Sequence, residues 1–287
     1  MKPNVIAVLV LFQCILLSSQ AQKFQTILFS VSHPEMKQVS YLFGTHHAFG
    51  TDFFMSLNGV SEKLYSADRL ITETIYKPGE MSEDIINSRQ EITNWQKYFS
   101  KEELKSVEGW LNKSSTDFNK MFPSELSSVL YRIHNIKVCE TKTINDTSNT
   151  LDDYIVDLAK SNSIQKIIGL ESAEQQLDLI RRDVEGMPDK IHKKRLKAIV
   201  KAIEEKDNSL CLGAEKYRKM LFDYQLSQPC GNSLILTNRN NKWMKIILNE
   251  MEKSSCFIAV GLSHLMFECG LIQQLRNKGF IVEPIAL

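Results

Sequence analysis

Two short motifs, more than two hundred residues apart, constrain this chain more than any other feature. Each is Gly-x-x-His at the end of an apolar run. Val39-Ser40-Tyr41-Leu42-Phe43 leads into Gly44-Thr45-His46-His47, and Cys256-Phe257-Ile258-Ala259-Val260 leads into Gly261-Leu262-Ser263-His264. A short β-branched or aromatic run that stops at Gly reads as a buried strand entering a turn. Gly allows a sharp bend there. Each His then stands beyond a strand's carboxyl end, where open α/β sheets bind their ligands. Two such contexts suggest two halves converging on one site.

Composition narrows the class. Lys2, the apolar stretch Val5 to Leu17 and the small residues Ser19-Gln20-Ala21 read as a secretory signal peptide, residues 1–21, cleaved after Ala21. The apolar stretch is shorter than the roughly 20 residues a membrane helix needs. No other stretch could span a bilayer, so residues 22–287 are expected to be exported, without a span. A net charge of +1 offers no general field for nucleic acid. Five cysteines follow the signal: Cys139, Cys211, Cys230, Cys256 and Cys269. Export permits disulfides, and the odd count leaves at least one thiol unpaired. Cys211 with Cys230 is the favoured pair, because both flank one helical stretch. The absence of Cys-x-x-Cys argues against a thiolate metal site.

Strand-like runs alternate with helical periodicity along the rest of the chain, which predicts an α/β fold. Strands are expected at 24–32, 37–43, 69–74, 135–139, 166–171, 257–260 and 280–282. Helices are expected at 56–66, 151–160, 217–226, 243–251 and 271–278, with a polar loop at 141–150. Residues 80–130 and 173–226 are rich in helical spacing and read as a helical cap inserted on a central mixed sheet with flanking helices. The order strand–His, strand–Glu, strand–Glu, strand–His suggests two repeated halves.

Four strand-end groups could carry chemistry: His47, Glu73, Glu171 and His264. Two imidazoles with one or two carboxylates can hold a divalent ion and leave positions open for water and substrate. The same groups could act without metal, as general acid and base. Arg239 and Asn240 add a fixed cation and an amide suited to an oxyanion or a substrate carboxylate. An isolated His is ordinarily a capping or surface residue, and His33, His134 and His192 are read that way. Glu73 could be a strand-end salt bridge, and Arg239 a helix-start cation. Strand alternation would aim His46 away from His47. Gly-x-Ser-x-Gly and His-Glu-x-x-His are both absent, which disfavours an ordinary α/β-hydrolase and a zincin protease.

The ordered set of motifs resembles the TraB/GumN (PrgY-like) family, related to the Tiki metalloproteases and more distantly to the erythromycin esterase/ChaN-like fold. The matching stretches are Tyr41 to His47, Leu70 to Glu73, Leu151-Asp-Asp-Tyr154, Gly169-Leu-Glu171 with Glu174-Gln175, Arg239 to Trp243, Val260 to Leu265 with Gly270-Leu-Ile, and Gly279-Phe280. The resemblance implies His47 and His264 as motif histidines, Glu171 as central acid, and Glu73, Arg239 and Asn240 as supporting residues. It implies metal dependence, with Mn, Co or Zn as usable ions. Two departures stand out: Phe267 where the family often has Gly, and His46 where it is usually aliphatic.

The resulting expectation is an exported α/β protein, periplasmic or secreted and of bacterial type, with a metal-dependent hydrolase site. The metal ligands expected are His47, Glu171 and His264, and the substrate is a peptide or protein. The rival is a non-enzymatic binder of a peptide, a pheromone-like ligand or haem.

Overall fold

The computed structural model describes residues 25–75, 79–162 and 164–287. The expected signal peptide and the first residue of the expected strand at 24–32 lie outside them. No helix among the described residues is long and apolar enough to cross a membrane.

Among the described residues six strands form one mixed sheet: β1 (Leu28–Ser32), β2 (Ser40–Thr45), β3 (Arg69–Thr74), β4 (Lys166–Glu171), β5 (Cys256–Gly261) and β6 (Ile281–Pro284). Their order is β4-β3-β5-β2-β1-β6. The first four in that order run parallel, and β1 is antiparallel to both its neighbours. Parallel strands are covered on both faces and read as near-continuous apolar runs, which is why β3 and β5 were legible. The front half supplies β2 and β3 and the back half β4 and β5, interleaved across the sheet rather than split into lobes.

Eleven α-helices accompany it among the described residues: α1 (Thr51–Met55), α2 (Val60–Tyr65), α3 (Ser82–Asn87), α4 (Lys101–Leu111), α5 (Pro123–Lys137), α6 (Leu151–Ser161), α7 (Ala173–Arg182), α8 (Asp189–Glu204), α9 (Leu212–Arg218), α10 (Asn238–Met251) and α11 (Leu271–Asn277). Strand alternation divides the core in two. Phe43, Leu70, Phe257 and Ala259 pack against Ile155 and Ala159 of α6. Leu42, Ile71, Ile258 and Val260 pack against Trp243 and Ile247 of α10 and Leu271 and Leu275 of α11. A third apolar cluster runs from Ile86 to Leu130 and from Leu177 to Ile203, joining α3, α4, α5, α7 and α8 away from the sheet.

The structure corrects several sequence expectations. Residues 135–137, read as the start of a strand, are the last turn of α5. His134 and Asn135 are buried there, and Asn135 donates back to the Tyr131 carbonyl. The alternating run Ile136, Val138 was too short to distinguish the two periods. The helix read at 217–226 ends at Arg218; Met220 and Gln225 have positive φ, which breaks it. The helix expected at 56–66 is shorter, α2 at Val60–Tyr65, which starts after Gly59 at φ +73°. Residues after 211 leave the third cluster, because Ala214 and Tyr217 pack under the first motif in the sheet core. The cysteines pair as Cys139–Cys211 and Cys230–Cys269, with Cys256 free and buried. The favoured Cys211–Cys230 pair is therefore wrong: the helical stretch between them turns each Cys toward a distant partner.

Candidate functional site

The carboxyl ends of β4, β3, β5 and β2 present, in that order, Glu171, Glu73, the loop of His264 and the loop of His47. Arg239, in the first turn of α10, lies among the first three. Its Nη2 donates to Glu73 Oε2 at 2.8 Å and to Glu171 Oε1, its Nε to Glu171 Oε2 at 3.2 Å, and its Nη1 to His264 Nε2 at 2.9 Å. The guanidinium also stacks over the Trp243 ring, 4.5 Å from its centroid. One planar fork therefore ties two strand ends and one motif histidine together, a geometry a Lys could not copy.

Alternation puts Glu73 on the same face as Ile71, toward α10. Its Oε1 accepts the Gly261 N–H at 2.7 Å. A Cβ on Gly261 would lie 3.0 Å from that oxygen, so any larger residue would crowd the carboxylate. Gly44, within β2, and Gly261, which closes β5, both lack positive φ, so neither uses the left-handed region open to glycine. Burial opposes ionisation of Glu73, but His264, His47, Arg239 and the Gly261 N–H together hold its pKa down to about 2.

His264 is buried in a short 3₁₀ turn, Leu262–Leu265. Its Nδ1 meets Asn240 Oδ1 at 2.7 Å, and Asn240 Nδ2 donates to the Cys269 carbonyl at 2.8 Å. Asn240 thereby fixes the proton on Nδ1 and leaves Nε2 as the acceptor that Arg239 uses. Burial, aided by Arg239 against the opposing pull of Glu73, lowers its pKa to about 4, so this imidazole is neutral.

His47 is different. Its side chain is 58% exposed, and its Nδ1 lies 2.7 Å from Asp152 Oδ2. Asp152 is the second residue of α6, and its other oxygen accepts from Thr45 at 2.6 Å. Asp152, more than the burial that opposes it, raises the His47 pKa to about 9, and Glu73 and Asp153 add to the effect. His47 has no direct hydrogen bond to the Arg239 cluster among the described residues, yet its charge acts on Glu73 and His264. His46 points elsewhere, with its ring 5.3 Å from Phe49 and 5.2 Å from Tyr217. The departure at that position therefore serves packing, and His47 is the imidazole on the site side.

All six residues singled out in the sequence thus converge on one edge of the sheet. Asp152 and Thr45 were missed as site residues, although Asp152 lies in the quoted Leu151-Asp-Asp-Tyr154 stretch. Trp243, 4.3 Å from the His264 ring, was likewise read only as part of a motif. Gln176 reaches Glu73 at 3.4 Å, whereas Gln175 caps the start of α7. The other departure, Phe267, has φ +67°, the left-handed region where Gly is at ease. His33 packs on Phe280. His134 Nε2 is tied to the Asp207 carbonyl, and its Nδ1 lies 3.6 Å from Cys139 Sγ, but both sulfurs of that donor cluster are joined in the disulfide. His192 lines a cleft of about 270 Å³ with Ser124, Asp183, Arg195 and Ile235. The cleft adjoins the site through Ile235, whose carbonyl faces Arg239 Nη1 at 3.5 Å.

A family model described as TraB/PrgY/gumN family matches residues 27–284, a span that holds all six strands. No curated protein and no solved structure matches.

Proposed function

This chain belongs to the TraB/PrgY/gumN family, and we propose that it is an exported, metal-dependent hydrolase that cleaves peptide bonds. The matched anchoring of the two motif imidazoles carries the reading. Each is held at Nδ1 by a side-chain oxygen, from Asp152 or Asn240. Such an acceptor is what orients a metal-ligating histidine and aims its other nitrogen at the ion. The donor set fits as well. The two carboxylates of Glu73 and Glu171 share a single guanidinium, and the His264 imidazole is neutral. That leaves one more buried carboxylate than guanidinium, which a divalent cation taking the place of the second His47 proton would balance.

His47, Glu171 and His264 are the proposed ligands, a nitrogen and oxygen set suited to Mn, Co or Zn. Such an ion would polarise a carbonyl and make water more acidic. The chain's own groups do the positioning. Asn240 keeps the His264 proton on Nδ1. Glu73, fixed by the Gly261 N–H, holds Arg239 at the strand ends. With an ion bound at His264 Nε2, Arg239 Nη1 would be free to pair with negative charge developing on a substrate oxygen. No Ser or Cys nucleophile motif is present, so water is the attacking group.

His47→Ala and His264→Ala, made separately, test this by bound metal and peptide cleavage. Loss of both properties in each variant is expected. Full cleavage after chelation, with one His essential, would replace the metal with acid–base chemistry. Tight peptide binding with no cleavage of any peptide would make the protein a binder. Intact mass of the exported protein, beginning at Gln22, tests the export part.

A further inference from the structure

We propose that Asp152 is the positioning residue of the first motif: it locks His47 Nδ1–H in place and aims Nε2 at the ion, as Asn240 does for His264. The inference rests on the metal reading above and adds to it a residue outside the expected site. An acid in the first turn of a helix has an ordinary explanation, since it complements the helix dipole. Asp152 does not fit that explanation. The Asp153 N–H at the start of α6 is capped by Thr150 Oγ1 at 3.0 Å. Both Asp152 oxygens are instead spent across the sheet edge, on Thr45 at 2.6 Å and on His47 at 2.7 Å.

The two anchors correspond closely. Asp152 lies in the first turn of the helix that precedes β4, and Asn240 in the first turn of the helix that precedes β5. Each anchor is itself anchored, Asp152 by the buried Thr45 hydroxyl and Asn240 by the Cys269 carbonyl. α6 packs on one face of the sheet and α10 on the other. The two motif histidines are therefore oriented from opposite sides of one edge. The exposure of His47 makes the anchor more necessary, because packing alone holds a largely exposed ring less firmly. Outer partners of this kind contribute about 10–100-fold to metal affinity.

Three variants test the assignment: Asp152→Ala, Asp152→Asn and Thr45→Val. Titration of each with Mn²⁺ and Co²⁺ reads ion affinity directly. Asp152→Ala is expected to lose about 10–100-fold. Asp152→Asn, which still offers an oxygen to Nδ1–H, should recover most of that loss, and Thr45→Val should fall between them. Proton NMR of the imidazole supplies a readout that needs no metal. The His47 Nδ1 proton should be shielded from solvent exchange in the wild type and Asp152→Asn, and should exchange freely in Asp152→Ala. Unchanged ion affinity in Asp152→Ala, at a melting temperature that shows it folded, overturns the assignment. So does a freely exchanging Nδ1 proton in the wild type. A wild type that binds neither ion but keeps the shielded proton would instead sink the metal reading, with the orienting role intact.

Discussion

Arg239 concentrates the chemistry of the site in one side chain. Its fork serves two carboxylates and an imidazole while its plane rests on Trp243. Read from sequence alone, the replacement Arg239→Lys should leave the melting temperature almost unchanged, because the charge is kept. The burial seen in the structure alters that expectation. The ammonium cannot reach three partners or stack, so hydrogen bonds to charged groups are lost, at roughly 2 kcal/mol. On the proposed function, peptide cleavage should also fall about tenfold or more, because an ammonium cannot copy the planar fork. Thermal melts and cleavage rates on the same preparation check both; full activity with a lowered melting temperature would leave Arg239 a structural tie only. At this scale the positions of the six candidate residues were legible, because strand ends and short motifs mark them. Asp152 was not. Its partner His47 lies 105 residues away, and no local pattern says which carboxylate meets which imidazole.

Elements hold those residues through their ends. The loop from β5 to α11 carries His264 and closes at Gly270, where a Cβ would lie 2.6 Å from the Leu265 carbonyl oxygen and nearer still to that of Met266. Backbone cannot step aside as a side chain can. Gly270→Ala should therefore cost about 1–3 kcal/mol and loosen His264, which a denaturant midpoint together with ion affinity would show. A midpoint equal to the wild type would mean the loop has room to spare. At the opposite end of the sheet, buried Glu250 on α10 joins Arg69 at the start of β3 and Lys166 at the start of β4. Burial opposes its ionisation, yet Lys166 and Arg69 outweigh it and hold the carboxyl below its ordinary 4.5. A depressed folded value means the stabilisation is fully present above pH 4.5 and fades as pH falls through the folded value. Glu250→Gln should thus lose roughly 1–3 kcal/mol near neutrality and converge on the wild type in acid; a constant difference down to low pH would show that shape, not charge, is responsible. Strand ends such as these were readable because β3, β4 and β5 are apolar runs with sharp limits. The 135–139 and 217–226 segments were misread because burial there follows tertiary neighbours rather than a clean local period.

The whole molecule is one sheet sandwiched by helices, with a separate helical cluster beside it and two covalent ties. The α/β class followed from alternating periods. The disulfides did not, since pairing depends on which loops the fold brings together. Both disulfides agree with an oxidising compartment, the setting an exported chain would meet. Cys256 stays apart from them, and burial pushes its thiol up to about 12, which leaves it inert. The two ties act at different places. Cys139–Cys211 joins the residues just after α5 to the residue before α9, across 72 residues. Cys230–Cys269 spans 39 residues and pins the loop whose Cys269 carbonyl accepts from Asn240. Chain-entropy reasoning assigns each closure about 4 kcal/mol, so replacing either pair by Ser should lower stability by a similar amount. Only the second should also disturb the orientation of His264, through Asn240. Cys230→Ser with Cys269→Ser is therefore expected to weaken Mn²⁺ binding under conditions where the protein is fully folded. Cys139→Ser with Cys211→Ser should bind as the wild type does. Equal ion affinity in the two double variants would mean that the Cys269 carbonyl keeps its place without the bond. Asn240 and Arg239 would then hold His264 without help from the disulfide.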